Sequence, residues 1–227
     1  MAPFQIISGP AIPLLRANID TDIIIRIERL THGDRTRLGD HALEALRFLP
    51  DGSPDPASVF NQPGYSGAPI LIAGRNFGCG SSREGAVWAL WQMGLRAVIA
   101  ESFGDIFYAN CFQNGLLPIR LPEAEVEALA TFAADPEHRF TIDLAAQQIT
   151  ISGGHKLPFD VDPARREAML AGLDDIGLTM RDVAAIDAWQ AADRDARPWV
   201  WETANGWPPP LNFSSHDRTV HDFDPHL

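Results

Sequence analysis

The sequence has too few cysteines for several classes of protein. Its 227 residues include only Cys79 and Cys111. Two thiols cannot build a disulfide framework, and they are too few for a cysteine-rich zinc site or for an iron–sulfur cluster held by this chain alone. We therefore expect no metal or cofactor on this chain, and any cluster it works with must be bound by another chain.

Long apolar stretches and excess positive charge are also missing. No run approaches the roughly 20 apolar residues that a membrane helix needs, and Met1–Pro10 lacks the basic and apolar regions of a secretion signal. We expect a cytoplasmic protein with no membrane partner. Lysine and arginine total 18 against 30 acidic residues, a net charge of −12. This sign argues against a nucleic-acid partner, because a phosphate backbone would be repelled.

The hydrophobic patterns that are present predict an α/β fold. Pro69–Ala73 and Arg96–Ala100 have the continuous apolar pattern of buried strands, and a helix is predicted between them over Glu84–Met93. A strand, helix and strand of these lengths fit a right-handed unit with two parallel strands. The segment 26–40 is dense in charge, so we expect it to be an exposed loop.

The composition changes near the end of the chain. The last 30 residues contain three consecutive prolines, Pro208-Pro209-Pro210, and they are rich in tryptophan and histidine. Such a stretch has no apolar periodicity that could build a core. We therefore predict one domain over residues 1–195 and an irregular tail over residues 196–227.

A turn rich in glycine and serine follows the first buried strand. It runs over Asn76–Glu84, between a strand and a helix, where ligands dock in open α/β sheets. Gly78 and Gly80 allow the backbone to approach a ligand closely, and the N–H groups that begin the next helix favour a bound carboxylate. Arg83 adds a planar group suited to holding a carboxylate through two hydrogen bonds. These residues make the turn a candidate anion site.

The serines of this turn allow two interpretations. As an alkoxide beside a guanidinium and helix-terminal N–H groups, Ser81 or Ser82 could take a carbon-bound proton. The same residues also match a capping box, with Ser81 as the N-cap and Glu84 as the third helical residue, and that role is purely structural. Capping does not explain the second serine, the arginine or the glycines. On the residues alone, both interpretations stay open.

Several motifs together resemble the swivelling domain of the aconitase superfamily. The run Asn76–Arg83 is similar to its Gly-Ser-Ser-Arg signature, and Asn18–Asp22 resembles the Asp-Thr-Asp motif of isopropylmalate dehydratase small subunits. Further similarity, in the family's order over about residues 1–190, lies in Ser102–Phe107, Asn110–Pro118 and Gly172–Gly177. The resemblance implies a β/β/α swivelling domain with a mixed sheet flanked by helices.

The resemblance also implies roles for single residues. Ser81 corresponds to the serine that removes the carbon-bound proton of the substrate, and Ser82 and Arg83 correspond to groups that hold a substrate carboxylate. Asp22 aligns with an aspartate that supports a histidine from the other subunit, although a solvated loop carboxylate or an Asx-turn would also explain Asp20 and Asp22. The predicted catalytic residues are Ser81 and Asp22, and the predicted substrate-binding residues are Ser82, Arg83, Gly80 and Asn76.

What the family resemblance implies about partners is equally specific. A large subunit would carry a [4Fe–4S] cluster that acts as a Lewis acid on the departing hydroxyl of a small dicarboxylate substrate. The chain would form a heterodimer with that subunit and would be inactive alone. Two departures bear on the substrate, because Gly85 stands where the family usually has histidine and Arg26 where it usually has proline. Four arginines, at positions 26, 29, 35 and 37, lie where the family has its substrate-selecting loop.

Three functions follow as hypotheses. The first is a hydro-lyase of leucine biosynthesis that interconverts 2-isopropylmalate and 3-isopropylmalate by dehydration and rehydration. The second keeps this chemistry and changes the diacid, for example to citraconate, methylmalate or homoaconitate. The third is a non-catalytic module that binds an anion for regulation and moves no proton.

Overall fold

The computed structural model of the protein describes residues 1–201. These residues divide into two compact units, Met1–Asp174 and a second unit that begins at Asp175. The part of the predicted tail after Trp201 lies outside the described residues, and the predicted boundary at residue 195 stays a prediction. Unit one contains all of the strands given below and the candidate site.

Strands in the described residues form two sheets of four strands each. A parallel sheet has the order β2-β3-β4-β5, and an antiparallel sheet has the order β1-β6-β7-β8. The strands are β1 (Ile7–Gly9), β2 (Ala11–Leu14), β3 (Ile70–Ala73), β4 (Ala97–Ala100), β5 (Leu117–Arg120), β6 (Phe140–Asp143), β7 (Gln148–Ile151) and β8 (Lys156–Pro158). The predicted α/β class is confirmed, and the strands that were expected in one mixed sheet form two sheets, one parallel and one antiparallel.

Helices connect and cover these strands. They are α1 (Thr21–Ile24), α2 (Ile27–Thr31), α3 (Leu38–His41), α4 (Glu44–Arg47), α5 (Gly85–Gln92), α6 (Asp105–Gln113), α7 (Glu123–Ala133), α8 (Pro163–Ala171), α9 (Asp175–Thr179), α10 (Val183–Ala196) and α11 (Pro198–Trp201). Through residue 201, none of the helices is both long and apolar enough to cross a membrane. The predicted strand, helix and strand unit is β3, α5 and β4.

The parallel sheet separates two apolar clusters because neighbouring side chains of a strand point to opposite faces. On β3, Leu71 and Ala73 belong to the first cluster, together with residues of α5 and α6. Ile70 and Ile72 belong to the second cluster, which includes α7 and the inner face of the antiparallel sheet. Both faces of this sheet are therefore buried, which explains the continuous apolar pattern of its strands.

The segment 26–40 is only partly the exposed loop that its charge predicts. It contains α2 and the start of α3, and the Leu38 side chain is completely buried in the first cluster. The expectation was wrong for this residue because one apolar position among many charges is enough to anchor the segment. The charged side chains around it lie on the outside.

Candidate active site

Three turns meet at one edge of the parallel sheet. They follow β2, β3 and β4, which are adjacent and parallel, so their carboxyl ends share an edge. Backbone hydrogen bonds join the turns from Asn18 N to Arg75 O (2.9 Å), from Gly78 N to Ile19 O (2.7 Å) and from Phe77 N to Ser102 O (3.0 Å). The two motifs that the sequence singles out, 18–22 and 76–84, are therefore neighbours in the fold.

Unusual backbone conformations shape these turns. Asn18 and Asn76 have φ values of 55° and 57°, in the left-handed region that asparagine tolerates. The Asn76 side-chain amide donates to the Asn18 side-chain oxygen at 2.8 Å, which links the first turn to the second. Gly78 has φ of 71°, and a Cβ there would overlap the Phe107 ring. In the structure, the Asn76 side chain makes a contact between two turns. Its substrate-binding role stays a prediction.

A buried threonine holds the predicted catalytic serine. Thr21, the first residue of α1, is 1% exposed, and its backbone N–H donates to Cys79 O at 2.9 Å. Its Oγ1 lies 2.8 Å from Ser81 Oγ and accepts a hydrogen bond of 3.2 Å from Ser81 N. Ser81 itself is exposed at the edge of the sheet. Ser81 is therefore a surface residue whose hydroxyl contacts the hydroxyl of the buried Thr21.

The two aspartates of the first motif do different things. Asp20 caps α1, because its Oδ1 accepts a hydrogen bond of 2.7 Å from Ile23 N. Asp22 is exposed, and its carboxylate forms an ion pair with the Arg83 guanidinium. Asp20 thus has a local structural role as a helix cap, while Asp22 lies among the predicted site residues. Arg83 is less exposed than Asp22, with 22% of its side chain exposed against 57%.

The capping box predicted for Ser81 and Glu84 does not form. Helix α5 begins at Gly85 with Glu84 as its N-cap residue, and no side chain caps it. Glu84 instead accepts a hydrogen bond of 2.8 Å from the Asn114 side chain, at the end of α6. Ser81 lies four residues before the helix, too early for an N-cap. The structural alternative for Ser81 is therefore wrong.

The remaining predicted substrate-binding groups lie beside Ser81. Ser82 is exposed, and its hydroxyl has no hydrogen-bond partner within residues 1–201. Gly80 is exposed with φ of 95°, and a Cβ there would lie 3.3 Å from Asp20 Cβ. The structure therefore brings together Ser81, Ser82, Gly80, Asp22 and Arg83. Asn76 lies at the other end of the same turn.

Comparison with known proteins identifies the family. A model described as the aconitase C-terminal domain matches residues 1–124, and one described as LeuD_N matches residues 127–163. A third, for the C-terminal domain of the 3-isopropylmalate dehydratase small subunit, matches residues 175–200. The 3-isopropylmalate dehydratase small subunit of Rhodospirillum centenum is 50% identical over 201 residues, 88% of this chain and 99% of that protein. The chain belongs to the family of 3-isopropylmalate dehydratase small subunits.

Further relatives of this family agree in sequence and in fold. The small subunit from Paracoccus denitrificans is 48% identical over 201 residues, which cover 88% of this chain and 100% of that protein. A crystal structure of 3-isopropylmalate dehydratase from Methanocaldococcus jannaschii matches with a TM-score of 0.60 and 30% identity. That match covers 81% of this chain and 99% of the other, so it extends well beyond the site motifs.

Gly85, one of this chain's two departures from the dehydratase pattern, has a packing explanation. A Cβ at this position would lie 2.5 Å from Leu30 Cδ2 and 2.9 Å from Leu30 Cδ1. Leu30 belongs to α2 and packs against the first cluster. A glycine at the first position of α5 therefore lets α2 approach the helix that follows the candidate site turn.

The four arginines in the expected substrate-selecting loop of the dehydratase family have different partners. Arg29 binds both carboxylate oxygens of Glu44, at 3.0 and 3.2 Å, and Arg37 pairs with Asp40 at 2.7 Å. The side chains of Arg26 and Arg35 have no hydrogen bond or ion pair in the described part of the chain. These two guanidinium groups are the ones in this loop that an anion could meet without displacing a carboxylate.

Cys79 is part of the site turn but is not suited to be its nucleophile. Burial, and secondarily the nearby Asp20 carboxylate, raise the pKa of the Cys79 thiol. The reactive form of cysteine is the thiolate, which a raised pKa disfavours. In residues 1–201, no group of three or more histidine, cysteine or acidic residues is arranged to hold a metal ion.

Sequence reasoning missed Thr21 as part of the site. Thr21 lies between two aspartates, and charged residues are the more usual candidates for a site. A threonine at the start of a helix is also common and does not by itself indicate a function. Its importance depends on a contact with Ser81, which is 60 residues away in the chain. A signal was nevertheless present, since Thr21 occupies the centre of the Asp-Thr-Asp motif.

Proposed function

We propose that this chain is the small subunit of a hydro-lyase that interconverts 2-isopropylmalate and 3-isopropylmalate in leucine biosynthesis. In this proposal Ser81 is the catalytic base, Asp22 supports an active-site histidine of the large subunit, and Ser82, Arg83 and Gly80 bind a carboxylate of the substrate. Membership in the dehydratase family supports the reaction. The observation that carries the proposal is the position of Ser81, an exposed residue two positions before Arg83 in the turn at the carboxyl edge of the parallel sheet.

The chemistry requires a base at one carbon of the substrate. The Ser81 alkoxide takes the proton from the carbon next to the one that bears the hydroxyl, and the electrons of that C–H bond form the double bond as the hydroxyl leaves. Addition of water with the opposite orientation returns a proton and gives the isomer. The Arg83 charge, two residues from Ser81 in the same turn, lowers the free energy of the alkoxide and holds the substrate carboxylate.

The departing hydroxyl needs help that this chain does not provide. A [4Fe–4S] cluster on the large subunit would supply Lewis acidity at that oxygen. The residues of this chain contribute the base, the carboxylate site and the surface that closes over the substrate. We therefore expect the isolated chain to bind substrate weakly and to show no turnover.

A substitution of Ser81 tests the proposal directly. In the complex with the large subunit, Ser81→Ala should lower kcat by at least about 100-fold, since removal of a proton-transfer group costs about 10²–10⁴-fold, while KM changes little. Ser66→Ala is the matched control, because Ser66 is exposed and precedes β3 at the opposite edge of the sheet. Undiminished turnover in Ser81→Ala would rule out the assigned base.

A substrate panel separates the proposed reaction from its alternatives. The two relatives are named 3-isopropylmalate dehydratase small subunits, and this name supports isopropylmalate as the substrate. The reconstituted complex should therefore turn over 3-isopropylmalate with a higher kcat/KM than citraconate, methylmalate or homoaconitate. A regulatory module that only binds an anion would turn over none of them and would tolerate Ser81→Ala. Preference for a shorter or longer diacid would replace the substrate and keep the chemistry.

A further inference from the structure

Thr21 Oγ1 lies within hydrogen-bonding distance of three atoms of Ser81. Thr21 Oγ1 lies 2.8 Å from Ser81 Oγ and 3.2 Å from Ser81 O, and it accepts from Ser81 N at 3.2 Å. A threonine hydroxyl has a single proton, so it can donate to the carbonyl oxygen or to Oγ, but not fully to both. The partner it donates to must depend on the protonation of Ser81.

The hydroxyl proton of Thr21 has a different hydrogen-bond acceptor when Ser81 is neutral and when it is deprotonated. When Ser81 carries its own proton, it can donate to Thr21 Oγ1, and Thr21 can donate to Ser81 O. When Ser81 is an alkoxide, it can only accept, so the Thr21 proton turns to Ser81 Oγ. A hydrogen bond to the charged form of a group stabilises that form. Thr21 therefore favours the basic state of the serine.

The surroundings of Thr21 make this contact well defined. Thr21 is 1% exposed, so water does not compete for its hydroxyl. Its backbone is fixed by the hydrogen bond to Cys79 O and by the Asp20 cap of α1. A hydroxyl in such a place has few alternative partners, and its position relative to Ser81 Oγ is set by two turns that are themselves joined.

We propose that Thr21 is a positioning residue for the reaction, which orients Ser81 and donates a hydrogen bond to its deprotonated oxygen. This inference rests on the proposed function, because it matters only if Ser81 is the base. It assigns no contact between Thr21 and the substrate. Removal of the Thr21 hydroxyl should therefore affect the chemical step and leave substrate binding nearly unchanged.

Two substitutions separate the hydroxyl from the methyl group of Thr21. Thr21→Val keeps the shape and removes the hydroxyl, and Thr21→Ser keeps the hydroxyl and removes the methyl group. In the complex with the large subunit, we expect Thr21→Val to lower kcat by at least about tenfold, the loss of one hydrogen bond to a charged group, with KM changed less than about threefold. Thr21→Ser should keep kcat within about threefold of the parent.

The possible outcomes decide the proposal in each direction. A Thr21→Val complex with unchanged kcat would overturn it, and so would a Thr21→Ser complex that loses as much kcat as Thr21→Val, because packing would then be the cause. If Thr21→Val fails to assemble with the large subunit, Thr21→Ala is compared with Thr21→Ser, since these differ only in the hydroxyl. If kcat of Thr21→Ser is about equal to that of Thr21→Ala, the proposal is overturned. If it is more than about ten times higher, the proposal is supported.

Ser81→Ala, measured in parallel, distinguishes failure of this inference from failure of the proposed function. If Ser81→Ala abolishes turnover and Thr21→Val does not lower it, the base stands and the role of Thr21 is wrong. If Ser81→Ala keeps its turnover, both proposals fail, whatever Thr21→Val does.

Discussion

At the scale of single residues, the proposed function requires Arg83 to bind two carboxylates, that of Asp22 and that of the substrate. In the described structure its Nη1 binds Asp22. A guanidinium has five N–H donors arranged in a plane, so the remaining donors can take a substrate carboxylate while Asp22 stays bound. Asp22 then fixes the orientation of the plane. A lysine at this position could hold one carboxylate by charge but could not keep this geometry.

We therefore expect Arg83→Lys to weaken substrate binding more than it slows the chemical step. KM for 3-isopropylmalate should rise by about tenfold or more, because a charge-assisted hydrogen bond contributes about 1.5–3 kcal/mol, and kcat should fall by a smaller factor. Steady-state kinetics of the reconstituted complex measure both. Arg139→Lys, an exposed arginine just before β6, is the control. An unchanged KM would mean that Arg83 does not bind substrate.

Sequence alone predicts some of these residues and not others, for physical reasons. The common location of Ser81 and Arg83 is predictable because both belong to one glycine-rich turn between a strand and a helix, while their roles in binding and catalysis stay predictions. The separation of Asp20 from Asp22 is not, because either carboxylate could cap a helix and only the start of α1 decides between them. Thr21 depends on a contact between distant turns, which no local pattern encodes.

At the scale of elements, the contact between α2 and α5 predicts that Gly85→Ala changes stability differently in the parent and in a Leu30→Ala variant. Alanine is favoured over glycine in a helix by about 1 kcal/mol, but a Cβ at position 85 would meet the Leu30 side chain. Gly85→Ala should therefore stabilise a Leu30→Ala variant by up to about 1 kcal/mol and stabilise the parent less, or destabilise it. Chemical denaturation of the four proteins gives the coupling free energy. A coupling near zero would show that the helices do not share this contact.

A second prediction at this scale concerns how the ion pair between Arg29 of α2 and Glu44 of α4 makes the free energy of unfolding depend on pH. The hydrogen bond from Arg29, with the charges of Arg29 and His41 adding to it, lowers the pKa of Glu44 despite partial burial. A lowered folded-state pKa means that the unfolded chain binds more protons, so the pair stabilises the fold above the ordinary carboxylate pKa. This contribution is lost as the pH falls through the folded-state pKa.

The free energy of unfolding should therefore differ between the parent and Glu44→Gln at pH 7, and the difference should shrink below about pH 4. Its size at pH 7 should be no more than about 1 kcal/mol, because Arg29 and Glu44 are partly exposed. Denaturant unfolding at several pH values measures it. Glu127→Gln, at an exposed position of α7, should show a smaller pH-dependent difference. A difference for Glu44→Gln that grows on acidification would contradict the assigned cause.

Elements of this fold are predictable where burial is continuous. β3, α5 and β4 follow from apolar patterns that any buried α/β layer would show, and their bounds differ from the prediction by at most one residue at each end. The capping box was wrong, and the exposed loop was wrong at Leu38, because each depends on one residue whose partner is distant in sequence. Glu84 is bound by Asn114, and Leu38 is buried by α5 and its neighbours.

At the scale of the whole molecule, the buried residues are concentrated in the first unit. The two apolar clusters contain no residue beyond Leu170, and no residue in the described part of the second unit, 175–201, is buried. Its helices instead expose large apolar side chains, among them Ile176, Trp189 and Trp199. Burial of apolar surface is the main source of folding free energy. The stability of the first unit should therefore come from residues before Asp175.

This distribution predicts different results for two truncations. A chain that ends at Asp174 should unfold cooperatively, with a thermal midpoint within a few degrees of that of the full chain. This corresponds to a difference in unfolding free energy of about 1 kcal/mol or less. A chain that ends at Val161 should be much less stable, by about 2–5 kcal/mol, because it lacks α8 and with it Met169, which is 1% exposed in the second cluster. Thermal unfolding followed by circular dichroism compares them.

The comparison is informative because both truncations remove the second unit, and only the shorter chain loses part of a cluster. Phe4 N also donates to Met169 O at 2.9 Å, so the loss of α8 leaves the start of the chain without this anchor. Equal stability of the two truncated chains would mean that α8 contributes little to the core. A large loss already in the longer chain would instead mean that residues after Asp174 contribute to stability without being buried themselves.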